Sequence, residues 1–247
     1  QQLLQRLLPL SACAVEVDVL ANGYDAETRH WPAASFYGLP VVRLVQPPLC
    51  EVQRFLKRAE DIVLALVAIA AFAPLLLAIA AAVKLSSPGP VLFRQRRHGY
   101  NHANFEVWKF RTMYTAADRP GEIRQATRGD KRVTLVGRIL RRTSLDELPQ
   151  VFNVLLGEMS MVGPRPHAVE HNMLYGQLID RYMQRHRMKP GITGWAQAKG
   201  LRGETEDLAK MQARVDCDIW YIENWSVLLD LKICLMTLSV LWHRNAY

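Results

Sequence analysis

Residues 62–83 read IVLALVAIAAFAPLLLAIAAAV, 22 positions without a charge. A helix of that length reaches across a bilayer core, for which about 20 apolar residues suffice. Pro74 sits in its middle, where it removes one backbone hydrogen bond and crowds the preceding turn. Both flanks are basic, with Lys57 and Arg58 before the run and Lys84, Arg94, Arg96 and Arg97 after it. A single span normally carries its positive excess on one side. Positive charge at both ends predicts a helix that enters, bends at Ala73-Pro74 and returns to the same face. A kinked span and a buried core helix are the two other readings, since proline is tolerated in spanning helices as well.

The chain around this run has 247 residues, 50% hydrophobic and 22% charged. That composition excludes intrinsic disorder, which needs low hydrophobicity and high net charge. It allows one large domain or two small ones. Lys and Arg number 31 against 23 Asp and Glu, a formal charge of +8. An anionic partner is therefore expected: a membrane surface, a phosphorylated substrate or nucleic acid. The excess is concentrated, because residues 84–143 carry 14 Lys/Arg and four Asp/Glu. A basic block directly after an apolar helix suits lipid phosphates and a phosphorylated substrate. No nucleic acid is expected, since no base-stacking platform or groove-reading motif accompanies the charge. Cys13, Cys50, Cys217 and Cys234 are too scattered for a metal pair or a disulfide framework and are expected to be reduced. The chain opens Gln1-Gln2 without a charged leader, as a fragment or processed form would.

Outward from the apolar run, AVEVDVL (14–20) and LPVVRLV (39–45) alternate like strands. Fifty residues with two strands make a poor core of their own, so residues 1–50 are expected to end an upstream domain. After Pro47-Pro48, EVQRFLKRAEDI begins a helix. SSPGP (86–90) makes a tight loop, PVLFRQ and NFEVWKFRTM a hairpin, and residues 115–130 a mobile polar loop. Helical patterns follow at 133–142, 145–156, 167–185 and 205–224. The apolar C-terminal stretch is interrupted by Asp230 and Lys232 and punctuated by Trp220, Tyr221, Trp225 and Trp242. It reads either as an interfacial helix or as one packed on the core. The expected fold is α+β and mostly helical. It is a monotopic membrane protein with a Pro-broken re-entrant helix over 54–85, amphipathic interfacial helices and a catalytic domain over 86–247.

The sharpest chemical pattern is RRTSLDELPQ (141–150). Thr143 or Ser144 can cap a helix whose first turn holds Asp146 and Glu147, and carboxylates there also serve the helix dipole. The neighbouring Arg138, Arg141 and Arg142 are expected to keep both acids ionised. An ionised Asp among arginines is a nucleophile suited to a phosphorus centre, whose charged oxygens the arginines neutralise. The second carboxylate can hold a hard cation such as magnesium. MVGPRPH (161–167) fixes Arg165 between two prolines, and Arg is suited to bidentate phosphate recognition. MKPGITGW (188–195) sets Lys189 and Thr193 beside two glycines that let backbone N–H groups approach a phosphate. In WKFRTM (108–113), Lys109 and Arg111 fall on one face of a strand. Either loop alone is more often structural. His167 and His171 form an i,i+4 pair without the zinc-protease pattern and read as surface or supporting residues.

SSPGPVLFRQ, KFRTM, RRTSLDELPQVFNVLLGEMSMVGPRP and KPGITGWAQ together resemble the bacterial sugar transferases, monotopic polyprenyl-phosphate phosphoglycosyl transferases, over about residues 54–247. Residues 1–50 are similar to the end of the Rossmann-like domain that precedes the catalytic region in the large branch, whose N-terminal transmembrane bundle is absent here. The resemblance implies that Asp146 attacks the β-phosphorus of a UDP-sugar, releasing UMP and leaving a sugar-phosphate on its carboxylate. Undecaprenyl phosphate then takes the sugar-phosphate. Glu147 would bind Mg²⁺, while Arg141 and Arg165 neutralise phosphate charge. The re-entrant helix would put the site at the cytoplasmic face of the bacterial inner membrane. The C-terminal stretch from Arg202 resembles the branch that starts exopolysaccharide synthesis, which points to UDP-glucose, with UDP-galactose next. A non-catalytic scaffold of an assembly complex is the reading from a different class, and a homodimer fits the large branch. Ala73 stands where the family commonly has Ser before the helix-breaking proline.

Overall fold

The computed structural model describes residues 12–20, 33–36, 39–114, 130–201 and 207–242. The polar loop expected over 115–130 lies outside the described residues except for Asp130. Strands β1 (Val17–Leu20), β2 (Ala33–Phe36) and β3 (Leu39–Val45) form an antiparallel sheet in the order β1-β3-β2. Two of the three coincide with the alternating stretches of the sequence.

Helix α1 (Glu51–Ser86) begins just after Pro47-Pro48, where Gln53 Oε1 accepts the Cys50 N–H at 2.9 Å. It continues for 36 residues as one element with Ala73 and Pro74 inside, about 54 Å at 1.5 Å per residue. Arg111 terminates it. The guanidinium donates to the carbonyls of Ser87 at 2.6 Å, Pro88 at 3.1 Å and Val83 at 3.2 Å, which a helix end otherwise leaves unpaired.

The expected hairpin follows as β4 (Leu92–His98) and β5 (Asn104–Phe110), with Leu92 opposite Phe110 and His98 opposite Asn104. Then come α2 (Leu135–Thr143), a 3₁₀ turn at Leu145–Glu147, α3 (Gln150–Leu156), β6 (Ser160–Val162) and α4 (Val169–Leu178). A 3₁₀ segment at Tyr182–Arg187 leads to β7 (Gly191–Thr193), α5 (Trp195–Ala198), α6 (Leu208–Glu223) and α7 (Val227–Trp242). Two expected helices are thus broken. The pattern at 145–156 begins with a 3₁₀ turn because Ser144 adopts a left-handed conformation, φ 56°. That at 167–185 breaks at Arg181, φ 60°.

Both halves of α1 enter buried clusters that also hold residues of β5. Ala65 is buried with Phe105, Val107, Val151, Val154 and Met159, while Ile79 and Val83 are buried with Phe110 and Leu140. Only 11% of the most apolar 18-residue window is buried, which excludes the core-helix reading. Its polarity is inverted relative to a helix in water. Lys57 and Asp61 are buried, whereas Phe55, Leu56, Val63, Leu66 and Val67 are exposed. Helix α7 repeats the inversion: Asp230 is 0% exposed while Leu228, Leu231 and Leu235 face outward. Lys57 Nζ joins the two helices, donating to Asp61 at 3.1 Å and Asp230 at 2.6 Å. Tyr221 and Trp225 donate further hydrogen bonds to Asp230.

Candidate active site

Helix α2 carries the chain into the acidic pair. Thr134 Oγ1 caps its start by accepting the Gly137 N–H at 2.9 Å, and Ser144 closes it by donating its N–H to the Arg141 carbonyl at 3.2 Å. Neither Thr143 nor Ser144 serves as the cap expected for the next helix. Thr143 Oγ1 donates back to the Ile139 carbonyl at 2.9 Å, and Ser144 makes no side-chain cap bond. Its left-handed backbone is not the extended one an N-cap requires. Asp146 and Glu147 therefore lie on the 3₁₀ turn, whose tighter winding sets successive side chains about 120° apart.

Glu147 is held on both oxygens. Lys109 Nζ donates to Oε1 at 2.7 Å, and the Arg165 fork donates to Oε1 at 2.7 Å and Oε2 at 3.1 Å. β5 supplies Lys109, and Arg165 stands between Pro164 and Pro166 after β6. Burial by itself would raise the Glu147 carboxyl, but Arg165 and Lys109 outweigh it and hold the group well below the carboxylate range. Asp146 goes the other way. Burial, with the Glu147 charge behind it, pushes its carboxyl up to about 6 against Lys109 and Arg141. The expected cause is corrected accordingly: Arg138 and Arg142 are exposed, and Lys109 and Arg165 do the work assigned to them.

Of the other candidates, Arg141 stays close: its Nε donates to Thr112 Oγ1 at 2.8 Å, and its charge acts on Asp146. Arg111 parts from Lys109 just past the end of β5, 5% exposed and engaged with the end of α1. Lys189 stands beside the Arg58 and Gly157 end of α3, 3.7 Å from where a Gly157 Cβ would be. Thr193 pairs its hydroxyl with Thr237 at 2.6 Å and ties β7 to α7. The structure thus gathers Lys109, Arg141, Asp146, Glu147 and Arg165, and sets Arg111, Lys189 and Thr193 elsewhere. Sequence reasoning missed Asn153, fully buried, which accepts the Trp108 N–H at 3.0 Å and donates to the Glu106 carbonyl at 2.7 Å. It seats α3 against β5, and only a polar residue inside an apolar helical pattern signalled it. Arg185 and Asp218, a buried pair 33 residues apart at 2.7 Å, left no local signal.

Chemically, the arrangement offers one carboxylate poised near neutrality and uncommitted to a side-chain cation, beside a second one fixed by two. Among the described residues no three His, Cys, Asp or Glu side chains form a metal site. Glu147 Oε2 accepts a single bond from Arg165, which would leave it a lone pair for a hard cation.

These features define a chain with one long, outwardly apolar helix and a carboxylate pair set among cationic side chains. The family model for bacterial sugar transferases matches residues 52–244, and the chain belongs to that family. It is 58% identical over 81% of its length to a UDP-glucose:undecaprenyl-phosphate glucose-1-phosphate transferase of Escherichia coli K12, of which the match covers 43%. A protein of the same name from Xanthomonas campestris is 47% identical across 100% of this chain and 51% of its own length. One from Caulobacter vibrioides is 54% identical over 77% of this chain and 72% of its own. The chain spans about half the length of the first two relatives.

Proposed function

We propose that this chain transfers a hexose-1-phosphate, glucose-1-phosphate first, from a UDP-sugar to undecaprenyl phosphate. The observation that carries the reading is the divided carboxylate pair, with Asp146 near 6 and Glu147 clamped by Lys109 and Arg165. At pH 7 Asp146 is about nine-tenths ionised and remains basic enough to form a bond. Its oxygen attacks the sugar-bearing phosphorus, the bond to the bridging oxygen breaks, and UMP leaves with the electron pair. A phosphate oxygen of undecaprenyl phosphate then attacks the same phosphorus and displaces Asp146, giving the diphosphate-linked lipid. Arg141, Lys109 and Arg165 neutralise oxygens whose charge grows during each displacement. Magnesium would be held by Glu147 and would supply further charge neutralisation. The names of the E. coli and Xanthomonas relatives support glucose as the sugar, with UDP-galactose the next donor to test.

The membrane part of the proposal is a monotopic attachment in which α1 enters the cytoplasmic leaflet of the inner membrane, bends near Ala73-Pro74 and returns. It is supported by both halves of α1 entering buried clusters of the folded body and by the outward apolar faces of α1 and α7. A lipid-anchored site can receive a soluble donor and a lipid acceptor together. Residues 1–50 are proposed to end an upstream domain.

The test is UMP release from UDP-glucose in nanodiscs with Mg²⁺, with and without undecaprenyl phosphate, UDP-galactose running alongside. Lipid-dependent turnover that disappears in Asp146→Asn is the expected result. Folded, lipid-bound protein that releases no UMP from either donor would support a scaffold instead.

A further inference from the structure

Arg185 is 4% exposed and sends its guanidinium to three partners on two segments. Nε donates to Asp218 Oδ2 of α6 at 2.7 Å, and Nη2 donates to the Arg165 carbonyl at 2.8 Å. Nη1 lies 2.9 Å from His167 Nδ1. The same Nδ1 stands 2.7 Å from the Tyr182 hydroxyl. The guanidinium also lies over the Tyr182 ring, 5.2 Å from its centre. Asp218 is itself 3% exposed. A buried pair of this kind is strongly oriented, since neither charge has water to turn to.

Arg165 and His167 flank Pro166, so Arg185 grips the Arg-Pro-His segment on both sides of a residue whose φ is already fixed. The far end of Arg165 is the fork on Glu147. We propose that Arg185, anchored by Asp218, is a positioning residue that sets where the Arg165 fork stands relative to Glu147 and the donor's diphosphate. The proposal rests on Arg165 being the phosphate-holding arginine of the reaction described above. Arg185 acts through its neighbour, because Nε and Nη2 are engaged by Asp218 and by the Arg165 carbonyl. Lysine at 185 keeps the charge but lacks the planar fork that serves three directions at once.

The experiment is a double-mutant cycle on UMP release in nanodiscs, with Arg165→Lys, Arg185→Lys and the pair, each checked for folding by circular dichroism. Each single variant is expected to lower kcat roughly 10- to 100-fold, the scale of a misplaced catalytic contact. The double variant is expected to be no worse than the poorer single, because both remove one function. Losses that multiply would overturn the positioning role while leaving Arg165 as a phosphate ligand. Full activity of Arg165→Lys would overturn the reading of Arg165, and the positioning role with it. Asp218→Asn, nearly equal in volume, enters the same cycle should Arg185→Lys not fold, with the same expected non-additivity. A merely structural role would lower stability and would multiply with Arg165→Lys.

Discussion

Asp146 and Glu147 share one turn, yet burial and the Glu147 charge push Asp146 up to about 6 while Arg165 and Lys109 hold Glu147 below the carboxylate range. The two therefore respond to pH with opposite sign. Asp146 binds its proton more tightly folded than unfolded, so its contribution to stability is full below about 3.9 and is lost as pH rises to about 6. For Glu147 the contribution is present above about 4.3 and is lost as pH falls. Asp146→Asn removes the strained charge, on the order of 3 kcal/mol, and should raise the melting midpoint at pH 7.5 by about 6–12 °C. Scanning fluorimetry in detergent would show the gain shrinking towards zero at pH 4, and an equal gain at both pH values would refute the burial strain. Single-turnover UMP release should climb with pH to a half-maximum near 6, as ionised Asp146 becomes available. The charges that meet at Glu147 were legible as candidates, because a carboxylate pair in a basic block is conspicuous in one dimension. Their directions were not. Arg111 and Lys109 differ by two positions and suggest one face, but the strand ends between them and Arg111 turns to the carbonyls of α1.

At the level of elements, the acidic turn is placed by the seating of α2 on the exit of β5. A Cβ on Gly137 would stand 2.1 Å from the Thr112 carbonyl oxygen, which also accepts the Thr134 N–H at 3.0 Å. No backbone shift relieves that contact without moving the start of α2. Gly137→Ala should cost about 1–3 kcal/mol as overpacking and should lower UMP release more than a surface substitution of equal cost, because the turn bearing Asp146 follows α2 directly. Comparing it with an exposed α2 change such as Arg138→Ala at matched stability separates the two effects, and unchanged turnover in Gly137→Ala would contradict this placement. The hairpin and the start of α1 were readable from proline punctuation and alternation. The 3₁₀ turn was not, since Ser-Leu-Asp-Glu-Leu-Pro carries every mark of a first helical turn, and nothing local announces a left-handed Ser144. That conformation answers a long-range demand to join α2 to an α3 already fastened to β5 by Asn153.

For the whole molecule, the question is which side of the bilayer each end of α1 occupies. The apolar run announced a membrane helix by length and composition, but two basic flanks are compatible with more than one path. Packing adds what periodicity lacked. Ala65 and Val83, 18 positions apart, join separate buried clusters, one with Phe105 and Val107 and the other with Phe110 and Leu140, so the folded body beside the helix touches both of its halves. A helix threaded through the bilayer would carry one half away from that body. Cysteines placed at Arg54 and Leu85, in a chain whose four native cysteines are replaced by alanine or serine, report each end separately. In intact cells a membrane-impermeant maleimide should label neither, and after permeabilisation it should label both. Labelling of one end alone in intact cells would establish a span and overturn the re-entrant path. The buried Lys57 link to Asp61 and Asp230 gives the result a structural counterpart. Lys57→Met leaves two buried carboxylates without their cation, a loss of about 3–5 kcal/mol. It should release α7 from α1 and lower stability in lipid, while both ends of α1 keep the same sidedness, because the two buried clusters still hold both halves of the helix.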